Sequence, residues 1–412
     1  MEYFHNCQKN MTIGIYFTAK KSRGGVYQYS LNILDGLKSN QTDKFIILNF
    51  SPDLPFADYN FSNWKIINFL EDKPGRNYFS FLEKINHKYT AALSYKIKSF
   101  FINKKLLMMV KTNRIDLIFF PGTINYALTK RIPFVAAIHD IQHRLNSRFP
   151  ELADKWIFKK RELAYKIITK KAYKVLVDSI IGQEDIVKAY GAPADRIVVL
   201  PYLPPAYFKN NCSGEQKLKL KERYHLPNKF LFYPAQFWPH KNHKNLIEAL
   251  KILKDKKLLA NLILVGAKKE EWGEFNKILD LISRYNLQNQ VSYLGYVSNE
   301  EINLLYKLAT ALIMPTYLGP TNIPVVEAWQ TGCPVLYSDI RGCREQAGGA
   351  ALLFNPGRPS DIAEKIETIW QDEKLQKILI EKGRSRLINW TQEDFNQALN
   401  QIINNFKNAY EK

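Results

Sequence analysis

The sequence predicts an α/β protein made of two doubly wound domains. Three observations carry that prediction. The chain has 412 residues, more than a single core usually serves. Short apolar runs recur along both halves, and longer polar or amphipathic segments separate them, the alternation of a parallel sheet covered by helices. Composition agrees: 46% hydrophobic and 24% charged residues is ordinary for a globular chain and excludes the disordered and fibrous classes.

In the first half, "MTIGIYF" (11–17), "FIILNF" (45–50), "IDLIFF" (115–120), "PFVAAI" (133–138), "KVLV" (174–177) and "RIVVL" (196–200) read as strands. In the second, "FLFY" (230–233), "LILVG" (262–266), "VSYLG" (291–295), "ALIMP" (311–315), "PVLYS" (334–338) and "AALLF" (350–354) repeat the style. Prolines, asparagines and a glycine interrupt the pattern at 200–216, so the join is expected there, with domains 1–205 and 206–390. The last stretch, 391–412, sets Phe395, Leu399, Ile402, Ile403 and Phe406 on one helical face. A helix with such a face must dock, and the first domain is the expected surface.

The net charge of +20 suggests an anionic partner: a nucleic acid, an acidic membrane surface or a phosphorylated small molecule. AT-rich coding would raise lysine in the same way. With no zinc-finger, basic-zipper or RNP-type pattern, nucleic acid is not an expected partner. Cys7, Cys212, Cys333 and Cys343 are scattered without CxxC pairing, and no secretory leader is visible. A cytoplasmic setting is expected. No apolar run approaches the roughly 20 residues that span a bilayer, so membrane contact would be peripheral, at the inner face.

Candidate site residues follow the strands. After the first, "SRGGVYQYSLNILDGL" (22–37) places Gly24 and Gly25 where a helix begins. Paired glycines let backbone N–H groups turn toward an anion, although an ordinary strand-to-helix turn has the same pair. His139 ends "PFVAAI" plus one residue, at the carboxyl edge where open sheets bind ligands. A histidine there can donate to a substrate or exchange a proton with it, or merely cap the turn with Asp140. In "FYPAQFWPHKNHKNLIEAL" (232–250), Gln236 is a neutral hydrogen bonder at the strand end. Lys241 precedes the helix, where the dipole repels a cation, so an anion nearby would account for it.

"GPTNIPVVEAWQTGCPV" (319–335) has Pro324 in the first turn of a helix and Gly332 as its stop, with Glu327 about one turn in. The dipole alone would favour an acid there by about 0.3–1 kcal/mol. Yet Val325, Val326, Ala328 and Trp329 make the helix read as buried, and a buried acid needs partners. A vicinal diol, such as a ribose, offers two donors to one carboxylate.

Taken in order, "GGVYQYSLNIL", "IHDIQHR", "PAQFWPHKNHKNLIEAL", "VSYLGYVSNEEINLLYKLATALIMPTYLGPTNIPVVEAWQTGCPVLYSD" and "LLFNPGRPSDIAEKI" resemble the GT-B glycosyltransferases of family 4, more specifically in the second half. The resemblance implies two Rossmann-like domains facing across a cleft, a nucleotide-sugar donor held mainly by the second, and a C-terminal helix crossing back to the first. It assigns Glu327 to the donor ribose, Lys241 to the diphosphate, Gly24 and Gly25 to the phosphate site from the opposite domain, and His139 to the transferred sugar. It further implies retention of anomeric configuration, with no metal and no cofactor beyond the nucleotide-sugar substrate.

Two departures stand out. Where the family often has an earlier glutamate this chain has Gly319, and where it often has an arginine this chain has Gln236. A subset of the family resembles the chain at both places. Asn322 and the backbone amides of Thr321 to Ile323 are then candidates to hold sugar hydroxyls, and Tyr296, in the loop 294–298, is expected near the base. Resemblance to mannosyltransferase-like members favours GDP-mannose, with a UDP-sugar as the alternative. The acceptor is expected to be a glycan or lipid-linked, since segments 95–114 and 153–174 mix lysines with Phe100, Phe101, Leu106, Trp156 and Phe158, as helices on anionic membranes do. A solvated basic face over a buried apolar one would read alike. A nucleotide-sugar 2-epimerase on the same fold and a non-catalytic binding subunit are the rival readings.

Overall fold

The structure, a computed structural model, describes residues 10–69, 89–209 and 212–410. Cys7 and the side chain of Phe100 lie outside what is described. Two all-parallel sheets organise the chain. The first contains β1 (Thr12–Phe17), β2 (Lys44–Asn49), β3 (Trp64–Asn68), β4 (Leu117–Phe120), β5 (Phe134–Ala137), β6 (Lys174–Val177) and β7 (Ile197–Val199), in the order β3-β2-β1-β4-β5-β6-β7. The second contains β8 (Leu231–Pro234), β9 (Leu262–Val265), β10 (Val291–Tyr293), β11 (Ala311–Met314), β12 (Val335–Ser338) and β13 (Leu352–Phe354), in the order β10-β9-β8-β11-β12-β13.

The doubly wound α/β expectation holds, and every expected run contains a strand. β3 is additional. It is an edge strand with Lys65 exposed and Ile66 and Ile67 only half-buried, so its sequence, WKIIN, lacks the continuous apolar run that marks the central strands. In β2 the side chains alternate between two cores. Phe45 and Ile47 pack with the helix Gly25–Leu37, whereas Ile46 and Leu48 face a second layer on the other side of the sheet. The second domain has one contiguous core.

The helix Gln392–Tyr410 lies against the helix Gly25–Leu37, with Phe395, Leu399, Ile402, Ile403 and Phe406 all buried in the first domain's core. Gly36 permits the contact, because a Cβ there would stand 2.6 Å from Leu399 Cδ1. Lys407 Nζ meets Asp43 at 2.8 Å in a buried ion pair.

Strand order reverses between β1 and β4 in the first sheet and between β8 and β11 in the second. Such switch points open a crevice at the carboxyl ends of the strands, and the segments leaving those ends meet each other across the domain boundary.

Candidate active site

The second domain supplies a cation with no counter-ion among the described residues. Gly266, at φ 147°, brings the segment after β9 so close to that after β8 that a Cβ would stand 2.4 Å from Ala235 O. The chain then passes Gln236 and tightens into a turn, Pro239–Lys241. Lys241 Nζ donates to Asn322 Oδ1 at 3.3 Å and forms no ion pair among the described residues. Burial lowers its pKa to about 8, with the nearby Cys343 acting in the other direction. An ammonium held in this way is short of negative charge.

Asn322 fixes the lysine. Its Nδ2 donates to Tyr337 Oη at 2.7 Å and to Leu318 O at 3.4 Å. Its backbone N–H donates to Gln346 Oε1 at 2.8 Å, and its carbonyl accepts from Gln346 Nε2 at 2.9 Å. Each hydrogen-bonding group of Asn322 thus has a partner within the domain, which makes it a positioning residue for Lys241, while its Oδ1 keeps a second acceptor site. The amides of Thr321 and Ile323 donate to no described acceptor. They sit at the start of the helix Ile323–Thr331, which has Pro324 in its first turn and ends at Gly332 with φ 74°, so the dipole adds positive potential beside Lys241.

Glu327 is 9% exposed in that helix. Its Oε2 accepts from Tyr306 Oη at 2.7 Å, and burial raises its pKa to about 7 against that bond. Tyr296, expected near the base, is 88% exposed in the segment after β10. Gly319 belongs to a segment pressed on the helix Arg341–Ala347, where a Cβ on Gly342 would stand 2.4 Å from Pro320 Cα. A side chain at 319 would point toward Cys343.

The first domain closes over this array. Gly24 adopts φ 52°, ψ −109° at the start of its helix, and a Cβ on Gly25 would touch Ile323 Cδ1 at 3.4 Å, so Gly25 approaches the second domain at the side chain of Ile323. Gln236 Nε2 donates to Ser22 O at 3.3 Å while its Oε1 accepts from Trp238 at 2.9 Å. A neutral amide can thus bridge the domains where an arginine is common in the resembling family. Gln142 Nε2 donates to Gly319 O at 2.6 Å.

His139 is oriented on both sides. Its Nε2–H donates to Pro121 O at 3.0 Å and its Nδ1 accepts from Tyr202 Oη at 3.2 Å, an arrangement of the neutral ring. Burial also lowers its pKa, against Pro121 and Asp140. Proton exchange with a ligand would require it to release one of these partners. Asp140 Oδ1 accepts from Gln142 N at 2.8 Å and so orients the following turn.

Three residues not anticipated from sequence complete the crevice. Asp178, directly after β6, accepts from Thr321 Oγ1 across the boundary at 2.8 Å, with Tyr202 beside it. Burial raises its pKa to about 7 despite the Thr321 bond. The strand-end rule that picks out His139 would also have picked out Asp178. Glu151 accepts from His240 N at 3.0 Å and His240 Nδ1 at 2.5 Å. Burial raises its pKa, yet these bonds outweigh that and hold it below the usual carboxylate range. Tyr306, which secures Glu327, lies 21 residues away and carries no local signal. Outside the crevice, Glu345 accepts from Ile180 N at 2.7 Å and Ile181 N at 2.8 Å, and Arg341 pairs with Glu184 and Asp185.

Two Rossmann-like parallel sheets whose switch points meet across the domain boundary define the GT-B fold class. Residues 216–386 match the family described as glycosyl transferases group 1. Over that stretch the chain is similar to that family. It is 27% identical over 353 residues to the O-antigen chain mannosyltransferase RfbU of Salmonella typhimurium, covering 85% of this chain and 88% of that protein. It is 26% identical over 241 residues to O-antigen chain mannosyltransferase B of Escherichia coli, covering 57% of this chain but only 60% of that protein's length. Among solved structures, that of Anabaena Alr3699/HepE in complex with UDP-glucose superposes with a TM-score of 0.70 at 18% identity, covering 97% of this chain and 100% of that one. Cys212, Cys333 and Cys343 form no disulfide, and no helix among the described residues is long and apolar enough to cross a membrane.

Proposed function

We propose that the chain is a retaining glycosyltransferase that moves a hexose, with mannose favoured, from a nucleoside diphosphate sugar to a glycan or lipid-linked acceptor in the synthesis of cell-surface polysaccharide or glycolipid. The observation that carries this reading is Lys241. It is a buried ammonium with no counter-ion among the described residues, bonded to the residue that opens the helix carrying Glu327, whose carboxyl Tyr306 holds in place. A diphosphate at that point with its ribose on Glu327 would complete each group's hydrogen bonding. The names of the two mannosyltransferases support the favoured sugar, and the UDP-glucose bound by HepE keeps a UDP-sugar as the alternative donor.

As the bond from the anomeric carbon to the phosphate oxygen breaks, negative charge grows on the diphosphate. Lys241 and the amides at the start of the helix Ile323–Thr331 would meet that charge and so stabilise the transition state. The acceptor oxygen bonds the anomeric carbon on the same face, and its proton passes to the departing phosphate oxygen. Lys241 supplies the neutralising charge that a metal ion supplies elsewhere. The contacts of Gln142, Asp178, Glu151 and Gln236 across the boundary would exclude water during the step.

The test is incubation with labelled nucleotide sugars plus lipid or glycan acceptors, with Lys241→Ala in parallel. Sugar transfer with release of nucleoside diphosphate, lost in the variant, is expected. Isomerised nucleotide sugar without transfer would replace this reading with a 2-epimerase, and absence of any turnover would favour a binding subunit.

A further inference from the structure

The helix Lys155–Lys171 departs from the usual amphipathic arrangement. Its inward side carries the buried Glu162, Ile168 and Thr169. Its outward side carries Trp156, 76% exposed, and Leu163, 55% exposed, followed by the half-buried Ile167. At the helical repeat of about 100° per residue, these three side chains fall within about 40° of one another. Lys159, Lys166 and Lys170 flank this stripe on one side, Lys160 and Lys171 on the other, and all five are exposed. None of the five forms an ion pair among the described residues. The helix's only acid, Glu162, points inward.

We propose that this face seats the protein on an anionic phospholipid surface. Trp156, Leu163 and Ile167 would enter the boundary between headgroups and acyl chains, and the lysines on both flanks would extend to the lipid phosphates. Charge complementarity selects this occupant. A protein groove that received the stripe would meet five cations and no anion on the same face, whereas an anionic bilayer presents negative charge on both sides of any apolar insertion.

The helix is also tied to the crevice. Glu162 accepts from Arg144 Nε at 2.6 Å, His143 Nε2 at 2.9 Å and Tyr190 Oη at 2.7 Å. Led by the bond from Arg144, these contacts keep its pKa at about 2 despite burial. Arg144 and His143 lie just beyond His139, so a seated helix would hold the acceptor side of the crevice near the membrane. That consequence rests on the transferase reading; the docking itself does not.

The experiment is co-sedimentation of the full chain with vesicles of phosphatidylcholine alone and of equal parts phosphatidylcholine and phosphatidylglycerol, at low and high salt. Wild type should bind only the anionic vesicles and release them at high salt. A Lys159→Gln/Lys166→Gln/Lys170→Gln variant should bind about 100-fold more weakly, from about 1 kcal/mol per lysine, and Trp156→Ala/Leu163→Ala at least about tenfold more weakly. Both variants should keep the wild-type melting temperature, which separates lost docking from lost folding. Failure of wild type to bind anionic vesicles, or equal binding by the variants, would overturn the proposal. So would a wild-type dimer in size-exclusion chromatography that Trp156→Ala/Leu163→Ala converts to monomer, since the face would then be a protein interface. Nucleotide binding plays no part in the readout, so a failed transferase reading leaves this result interpretable.

Discussion

Replacing Glu327 by glutamine should stabilise the protein without ligand, and increasingly so as pH rises. Burial pushes the carboxyl up to about 7 in the fold, from the 4.5 of an ordinary glutamate, against the Tyr306 bond. A raised carboxyl pKa means that the folded state binds more protons between those values, so wild-type stability falls as pH rises through that window and levels off above it. At about 1.4 kcal/mol per unit, the loss amounts to at most about 3 kcal/mol, of which about 2 kcal/mol falls between pH 5 and pH 8. Glutamine keeps an oxygen for the Tyr306 hydroxyl and carries no charge to desolvate. The gap between Glu327→Gln and wild type should therefore widen by about 2 kcal/mol from pH 5 to pH 8, seen as roughly 4–8 °C in melting temperature for a domain of this size. Paired thermal and urea unfolding series across that range would measure it. A gap that stays flat, or a variant less stable than wild type at pH 8, would refute the claim that Glu327 is a desolvated acid waiting for donors.

Three further outcomes follow from the same geometry. Lys241→Ala should lower kcat by roughly tens to thousands of fold without lowering the melting temperature, because it removes an uncompensated buried charge; a loss below about threefold would contradict its role. The pH profile of kcat/KM for the donor should peak between about 7 and about 8, since Glu327 must be ionised to accept two hydroxyls and Lys241 protonated to meet the diphosphate; a profile that keeps rising through pH 9 would exclude the lysine. Gly342→Ala should cost about 1–3 kcal/mol and weaken donor binding, as the added Cβ displaces Pro320 from 2.4 Å; wild-type values for both in unfolding and nucleotide titration would show that the segment yields freely.

The sheets were legible because central parallel strands are buried on both faces and read as apolar runs, while β3, with Lys65 exposed at the edge, was not. The burial of Glu327 followed from its apolar neighbours, and the isolation of Lys241 from its place before a helix. What could not be read was pairing at long range. Thr321 and Asp178 stand 143 residues apart, and the bond between them exists only because two separately folded sheets turn their carboxyl edges toward each other. For the same reason the sequence does not show that Asn322 is held by Tyr337 and Gln346, its neighbours in space.

The most direct test of the central claim, a nucleotide diphosphate site built on Lys241 and Glu327, is a metal-free thermal-shift series with UDP, GDP, ADP and their common sugar conjugates, on wild type and Glu327→Ala. One nucleotide should raise the melting temperature of wild type and fail to raise that of the variant. No shift with any of them, or the same shift in both proteins, would contradict it.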